Sequence, residues 1–516
     1  MSAWLDLIMF AALFAVILLG FPVAFSIAGT AIIFAILGWA AGAMDITLLG
    51  ALGQRVFGLL SNQVLIAIPL FVLMGAVLEK SNIAEELLDM MGRLFGRVRG
   101  GLGISVVLVG ALLAASTGIV GATVVAMGLI ALPGMLRAGY DPRVACGIVC
   151  TAGTLGQIIP PSTLLIILAD VMSNAYQQAQ YEQGKFAVQA LSVGQFFAAA
   201  LVPGLVLVML YLIYILIRGW VRPQDMPPSP PGQAHPTGPE IFAAIVPPIL
   251  LILAVLGAIL GGVATPVEAA SVGAVGALLL TGYRLRRGKA LVLAGTAALI
   301  LLGVMAGLFP VRLQRSDLGP GDWALGMFYV ALTLAGAVAL IAALRAGLRG
   351  GVVQQAITST LTMTAMIFAT ILAAGMFSLV FVGLGGEERV AEILGAMPGG
   401  ATGALVFVMV FVFVLGCFLD FVEISVIVLP LVIPPLILMG HDPIWLGILI
   451  AINLQTSFLT PPFGFSLFYL RGAAPPEIST GQIYAGVVPF IGLQAVGVLL
   501  VWLVPALATW LPGAIF

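Results

Sequence analysis

The sequence predicts an all-α polytopic membrane protein built as two inverted repeats. Each repeat carries a re-entrant helical hairpin and a broken helix, and one extra pair of transmembrane helices is inserted in the second. Three observations predict this. Of the 516 residues, 62% are hydrophobic and 8% charged, and many apolar runs exceed the roughly 20 residues needed to cross a bilayer. One hydrophobic segment is interrupted by Gly153-Thr154-Leu155-Gly156-Gln157-Ile158-Ile159-Pro160-Pro161-Ser162. A second is interrupted in the same way by Asn453-Leu454-Gln455-Thr456-Ser457-Phe458-Leu459-Thr460-Pro461-Pro462-Phe463-Gly464, and the signposts Gly139-Tyr140-Asp141-Pro142 and Gly440-His441-Asp442-Pro443 precede the two breaks at equal distance.

Two consecutive prolines remove two backbone donors and clash with the preceding turn, so a helix entering either stretch breaks. Glycines at 153 and 156 weaken it further. Freed backbone groups at membrane depth survive only inside protein or beside a watery cavity. Pro160, Pro161, Pro461 and Pro462 are therefore the helix-breaking residues, and paired interrupted helices in matching positions mark an ion-transporter fold with a central site.

In the first repeat, residues 1–221, spans are expected at 3–20 and 22–40, with a third crossing over 51–78 bent at Pro69. Residues 83–96 alternate Glu85, Glu86, Asp89 and Arg93 with Leu and Met, the pattern of a helix lying on the membrane surface. Residues 100–136 are apolar but interrupted around Ser116-Thr117-Gly118, and each flank is short for a full span. This reads as a re-entrant hairpin with its tip there; two short ordinary spans are the alternative. The broken helix covers about 143–172, followed by a polar loop at 173–193 and a span at 194–217. Residues 222–239 hold seven prolines in eighteen positions and form a linker.

The second repeat, residues 240–516, opens with spans at 240–262 and 266–283, where Glu268 caps the helix begun at Pro266. Spans at about 290–345 have no counterpart in the first half and are read as the inserted pair. Segment 354–382 parallels 51–78, and 387–394 parallels the surface helix. The second hairpin covers 400–435 with its tip from Gly416 to Glu423, the second broken helix 444–470, and the last span 481–511.

With the N-terminus outside and the halves inverted, five of the 20 basic residues (Arg55, Lys185, Arg312, Arg315 and Arg389) fall outside, leaving 20 − 5 = 15 on the cytoplasmic side. That excess obeys the positive-inside rule. Both termini then lie in the periplasm, and the two hairpins open to opposite faces. No basic n-region precedes the first apolar run, so it is expected to be a retained span rather than a cleaved signal. Cys146, Cys150 and Cys417 sit in apolar surroundings and read as buried free thiols. His235 and His441, the two histidines, provide no nucleophile–base or metal constellation, so an enzyme is not expected. Nothing points to nucleic acid.

Several stretches carry a resemblance: Pro69-Leu70-Phe71-Val72-Leu73-Met74-Gly75, Ser116-Thr117-Gly118, the stretch from Gly153 to Ser162, Thr265-Pro266-Val267-Glu268-Ala269 and Leu459-Thr460-Pro461-Pro462-Phe463-Gly464. In this order the chain resembles the large membrane subunit, the DctM-like permease, of tripartite ATP-independent periplasmic (TRAP) transporters. The resemblance covers nearly the whole chain outside the inserted pair, which departs from the usual pattern. It implies a sodium-driven importer of small organic acids in the bacterial inner membrane, working by elevator-type alternating access. It further implies a small four-helix membrane subunit (DctQ-like) and a soluble periplasmic substrate-binding protein (DctP-like) as partners. Sodium is the implied coupling ion; no other cofactor or metal is expected.

Under the expected topology no Arg or Lys lies at the membrane centre, so helix-end dipoles, hydroxyls, amides and co-transported cations must offset an organic anion. Two sodium sites related by the repeat are expected. One uses Ser116, Thr117, Gly118, Gly153, Thr154 and Gln157; the other uses Gly416, Asp420, Asn453, Gln455, Thr456 and Thr460. Substrate is expected between them, near Ser162, Thr163, Phe463 and Ser466. Each hydroxyl has the competing use of bonding back to its own helix. Asp420 can face a cation or hold the hairpin tip, and Glu423 is assigned a structural role. The rival functions are a stand-alone sodium–dicarboxylate symporter of the same architecture and a non-transporting scaffold subunit.

Overall fold

A computed structural model describes residues 4–118, 120–228, 236–285, 289–311 and 319–516, without the side chains of 114–117. Among these residues all regular structure is helical. Among the described residues eleven helical stretches, with Phe421–Leu438 taken as one, are long and apolar enough to cross a membrane.

Helices α1 (Leu5–Leu18) and α2 (Val23–Ala40) follow the expected spans. The crossing expected over 51–78 is two helices, α3 (Leu52–Leu60) and α4 (Gln63–Lys80). They part because the Asn62 side chain accepts a hydrogen bond from Val64 N at 3.0 Å and starts α4 afresh. Helix α3 buries none of its residues, whereas Pro69 sits inside α4 without ending it. Helix α5 (Ile83–Phe95) is amphipathic: it buries Ile83, Leu87, Leu88 and Met91 on one face and exposes Glu85, Glu86 and Asp89 on the other.

Helices α6 (Gly101–Thr117) and α7 (Val120–Arg137) pack side by side, joined through Gly118. The next turn shows what the repeated Gly-x-Asp-Pro stretch does. Gly139 takes φ +85° to leave α7, Asp141 accepts from Arg143 N at 2.8 Å, and Pro142 opens α8 (Pro142–Thr154). In the second half Gly440 (φ +98°), Asp442 and Pro443 do the same.

A 3-10 turn, Leu155–Gln157, extends α8, and after the break α9 (Thr163–Glu182) begins. Helix α9 runs ten residues past 172 (182 − 172), where a polar loop was expected. Its Gln-rich end keeps helix propensity and is tied down. Gln180 Nε2 donates to Gln189 O at 2.9 Å, and Leu191 N donates to Ser173 Oγ at 3.1 Å. Helix α10 (Val193–Val221) starts with a Ser192–Gln195 capping box. The expected linker is docked at its start. Asp225 pairs with Arg218 at 2.8 Å and its carbonyl accepts from Asp141 N at 2.9 Å, while Met226 is buried. Residues 229–235, with His235, lie outside the described residues.

The second half contains α11 (Gly238–Leu260), α12 (Pro266–Arg284), α13 (Lys289–Leu308), α14 (Pro320–Arg349), α15 (Val352–Gly383) and α16 (Gly386–Gly395). Glu268 does cap α12, accepting from Thr265 N at 2.8 Å. The pair α13–α14 packs on itself and on α12, and most of its surface faces outward. Helix α17 (Gly400–Gly416) is followed by α18 (Phe421–Glu423), a π-turn at Ile424–Val428 and α19 (Leu429–Leu438). The second interrupted helix is α20 (Pro443–Ser457) and α21 (Phe465–Ala473). The expected last span is split into α22 (Thr480–Leu503) and α23 (Ala506–Ile515), because Pro505 has no N–H to continue the ladder.

Two packed groups emerge. Helices α2, α4, α12 and α15 pack together, and α8 packs against α6, α7 and α22. The α8–α22 crossing is backbone on backbone: a Cβ at Gly147 would lie 2.1 Å from the Gly486 carbonyl oxygen. Small residues allow such approach between membrane helices.

Candidate functional site

The Pro160–Pro161 and Pro461–Pro462 peptide bonds are both cis, and each helix stops short of its proline pair. At the first break the hydroxyls are used locally. Ser162 Oγ donates to Gln157 O at 2.8 Å, and Thr163 Oγ1 donates to Gly118 O. The second bond fixes the turn between α6 and α7 against the first residue of α9. Gly118 takes φ +60°, and a Cβ there would stand 3.0 Å from Thr163 N, so both conformation and space call for glycine. Gly153 is pressed against Val124 of α7, where a Cβ would fall 2.3 Å from Cγ2. The side chains of Ser116 and Thr117 lie outside the described residues.

At the second break Ser466 Oγ donates to Phe458 O at 2.7 Å, Thr456 Oγ1 to Ile452 O at 2.8 Å and Thr460 Oγ1 to Thr456 O at 2.9 Å. Asn453 Nδ2 donates to Met409 O at 2.7 Å, tying α20 to α17. Gly416 abuts Ser457, where a Cβ would meet Oγ at 2.0 Å. Phe463, 43% exposed, has ring neighbours in Phe418 (5.1 Å) and Phe468 (6.1 Å). Asp420 accepts from Phe421 N at 2.8 Å, which holds the start of α18. Glu423 is buried, and its Oε2 has no hydrogen-bond partner among the described residues.

The structure joins residues that the sequence had placed in separate clusters. Gln455 Nε2 donates to Thr154 Oγ1 at 3.4 Å. The two stand at equivalent places, six residues before Pro160 and Pro461 (160 − 154; 461 − 455). Gln494 of α22 donates to the same Thr154 oxygen at 3.4 Å and to Tyr211 OH of α10 at 2.9 Å. Gln494 and Tyr211 were missed in the sequence. The available signal was a polar side chain inside an otherwise apolar span.

A cavity of about 330 Å³ lies between α4 and α15 on one side and α7, α21 and the start of α18 on the other. Its walls include Val72, Glu79, Lys80, Ser359, Asp420 and Tyr469. Of the candidate site residues with described side chains, Asp420 lines this cavity. Ser162, Thr163 and Ser466 are at most 1% exposed, with their hydroxyls turned to backbone. At the other end of α4 the same seam is closed: Asn62 Nδ2 donates to Asp170 Oδ1 of α9 at 2.9 Å, and Gln178 of α9 reaches Glu387 of α16 at 2.5 Å. Asp170 was also missed, although it stands alone among Leu164–Met172. Among the described residues no cluster of His, Cys, Asp and Glu has the makings of a metal centre.

Known proteins share this architecture. The chain matches the family described as "Tripartite ATP-independent periplasmic transporter, DctM component" over residues 10–310 and 299–507. It is 28% identical over 513 residues to the C4-dicarboxylate TRAP transporter large permease protein DctM of Vibrio cholerae, covering 98% of this chain and 97% of that one. It is 25% identical to the ectoine TRAP transporter large permease protein TeaC of Halomonas elongata, with 99% of each chain covered. The sialic acid TRAP transporter permease protein SiaT of Haemophilus influenzae is 23% identical over 96% of this chain and 67% of its own. The fold is also similar to the crystal structure of the Alcanivorax borkumensis YdaH transporter, with a TM-score of 0.53, 16% identity and coverage of 90% and 88%. Eleven candidate spans, two interrupted helices and a match over most of its length place the chain in the DctM family: it is a multi-pass TRAP transporter permease, a transporter and not an enzyme.

Proposed function

We propose that the chain is a sodium-coupled importer of small organic acids that moves its cargo by elevator-type alternating access. The observation that carries this reading is the one-sided seam. It is open as a cavity at the Glu79–Lys80 end of α4 and closed by Asn62–Asp170 at the other. In this reading residues 1–221 and 240–516 are inverted repeats and the pairs α6–α7 and α17–α19 are re-entrant. The bundle holding both interrupted helices slides against α4 and α15. The excess of basic residues on one side supports a cavity that opens to the cytoplasm and termini in the periplasm, in the bacterial inner membrane.

Cavity electrostatics support cation coupling. Glu79 and Lys80 pair at 2.8 Å and cancel, which leaves the Asp420 carboxylate facing the space. A second carboxylate about 4 Å away would be repelled by about 4 kcal/mol at an effective dielectric of about 20. A sodium ion near the hairpin tip offsets that cost. The breaks supply carbonyls and hydroxyls for it, and the half-helix that begins at Phe465 opens with its first residue in the cavity wall. Relatives are named for C4-dicarboxylates, ectoine and sialic acid, which supports small organic solutes as the cargo class. Membership in a tripartite family supports a DctQ-like small membrane subunit and a DctP-like binding protein as partners.

The test is uptake into sealed vesicles holding the permease with its small subunit and binding protein, over a panel of organic acids. Uptake is expected to stop when choline replaces sodium and when the binding protein is omitted. Uptake that persists in choline overturns the coupling, and indifference to the binding protein overturns the tripartite assembly.

A further inference from the structure

Where the two interrupted helices meet, the structure holds a polar centre with no ionic group. Thr151 and Thr154, three residues apart, are neighbours on the surface of α8, and Gln157 follows one 3-10 turn beyond Thr154. Gln455 of α20 and Gln494 of α22 join them through their bonds to Thr154. All five residues are 0% exposed. Yet Thr151 Oγ1, both polar atoms of Gln157, and the side-chain oxygens of Gln455 and Gln494 have no hydrogen-bond partner among the described residues. A buried polar group left unpaired costs about 1–3 kcal/mol, and a small polar guest bonded to these atoms would remove that cost.

The donors and acceptors identify the guest. Thr154 gives its proton to Thr151 O at 2.9 Å, so its oxygen can only accept. This fixes the amides of Gln455 and Gln494 with nitrogen toward Thr154 and oxygen turned away. The unpaired set is then mixed: amide oxygens that accept, the Gln157 NH2 that donates, and the Thr151 hydroxyl that does either. A metal cation satisfies oxygens only and repels the NH2 group. Water satisfies both kinds.

We propose that Thr151, Thr154, Gln157, Gln455, Gln494 and Tyr211 form a sealed water-binding centre that joins the two interrupted helices. Thr154, Gln157 and Gln455 are thereby withdrawn from the sodium sites, and ordered water, not sodium, completes their bonds. The centre makes one unit of both breaks, since α8, α20, α22 and α10 each contribute a side chain. In one respect the proposal refines the sodium-coupled reading: the cations must be held elsewhere, at the hairpin turns and carbonyls.

The test uses the permease assembled with its small subunit. A cryo-EM map that resolves ordered solvent is expected to show density here bonded at about 2.8–3.0 Å to donors and acceptors alike. Density contacting only oxygens, with the Gln157 NH2 turned away, overturns the proposal. Sodium-dependent thermal stabilisation is then titrated in Gln157→Met and Gln157→Glu. The midpoint in sodium is expected to stay that of the unmutated protein in both. A cation centre would instead lose on the order of 10-fold or more in sodium affinity with methionine and gain affinity with glutamate; either result refutes this assignment. If one variant fails to assemble, the other and the map still decide. If the unmutated protein shows no sodium-dependent stabilisation, the coupling reading fails and the map alone decides the water centre.

Discussion

Alanine at Gly486 probes how tightly the site depends on helix approach. A Cβ there would stand 2.0 Å from the Arg143 carbonyl oxygen and 3.1 Å from Gly147 N, both backbone atoms. No side-chain rotation relieves the clash, so α22 and α8 must separate. Restoring ordinary contact at 3.4 Å needs about 1.4 Å of movement (3.4 − 2.0). Gln494 lies eight residues further along α22 (494 − 486), and its bond to Thr154 is already 3.4 Å long. That bond cannot survive such a shift. Overpacking costs about 1–3 kcal/mol and the lost hydrogen bond about 1 kcal/mol more, so Gly486→Ala should destabilise by about 2–4 kcal/mol. The assay is thermal unfolding of the purified protein, read beside vesicle uptake. Gly492→Ala on the same helix is the control. A Cβ there meets nothing within 4 Å, and alanine favours helix by about 1 kcal/mol over glycine. An unchanged unfolding midpoint in Gly486→Ala, with uptake intact, would refute the claim that this crossing sets the site.

Replacing Pro160 and Pro161 together with alanine should leave the chain assembled but abolish uptake; unaltered uptake would favour a scaffold role. Asp170→Ala removes the bond to Asn62 across the seam, worth about 1.5–3 kcal/mol for a charged acceptor. It should depopulate the state with the cavity open, and a cysteine placed at the half-buried Ser359 in the cavity wall should then react more slowly with an impermeant thiol reagent. The three native cysteines are buried and should stay silent in that assay. The Asp45 carboxylate, bonded by the Thr47 N–H and hydroxyl, is held below the usual aspartate range. A lowered pKa means the folded state favours the charged form, so this contribution is present above the ordinary value and lost as pH falls through the lowered one. Amide exchange at Thr47 should therefore quicken relative to neighbouring amides under acid conditions, and an acid-insensitive ratio would contradict the assignment.

Much of the fold follows from local chemistry. Gly139 and Gly440 end helices in the left-handed region, Asp141 and Asp442 cap the next ones, and the proline pairs break the chain where the ladder loses its donors. Those rules act within a few residues, so a reader of the sequence can apply them without knowing what lies across the molecule. Three boundaries escaped for equally local reasons. Asn62 restarted a helix that looked continuous, Pro505 split the last span, and the Gln-rich stretch after Ser173 kept its helix because Gln180 and Ser173 bind the returning chain.

The site divides along the same line. Composition and the paired breaks determined that this is a membrane protein with two matching interruptions. Only the tertiary structure decided which side chains meet. Thr154 and Gln455 are 301 residues apart and touch, while Ser162 and Ser466, close in the chain to the breaks, turn inward to backbone carbonyls. Spacing fixes which face of its own helix a residue occupies. Which helix that face meets depends on how closely two backbones approach, and here that is set by Gly147 and Gly486, distant in sequence and in contact only once the chain has folded.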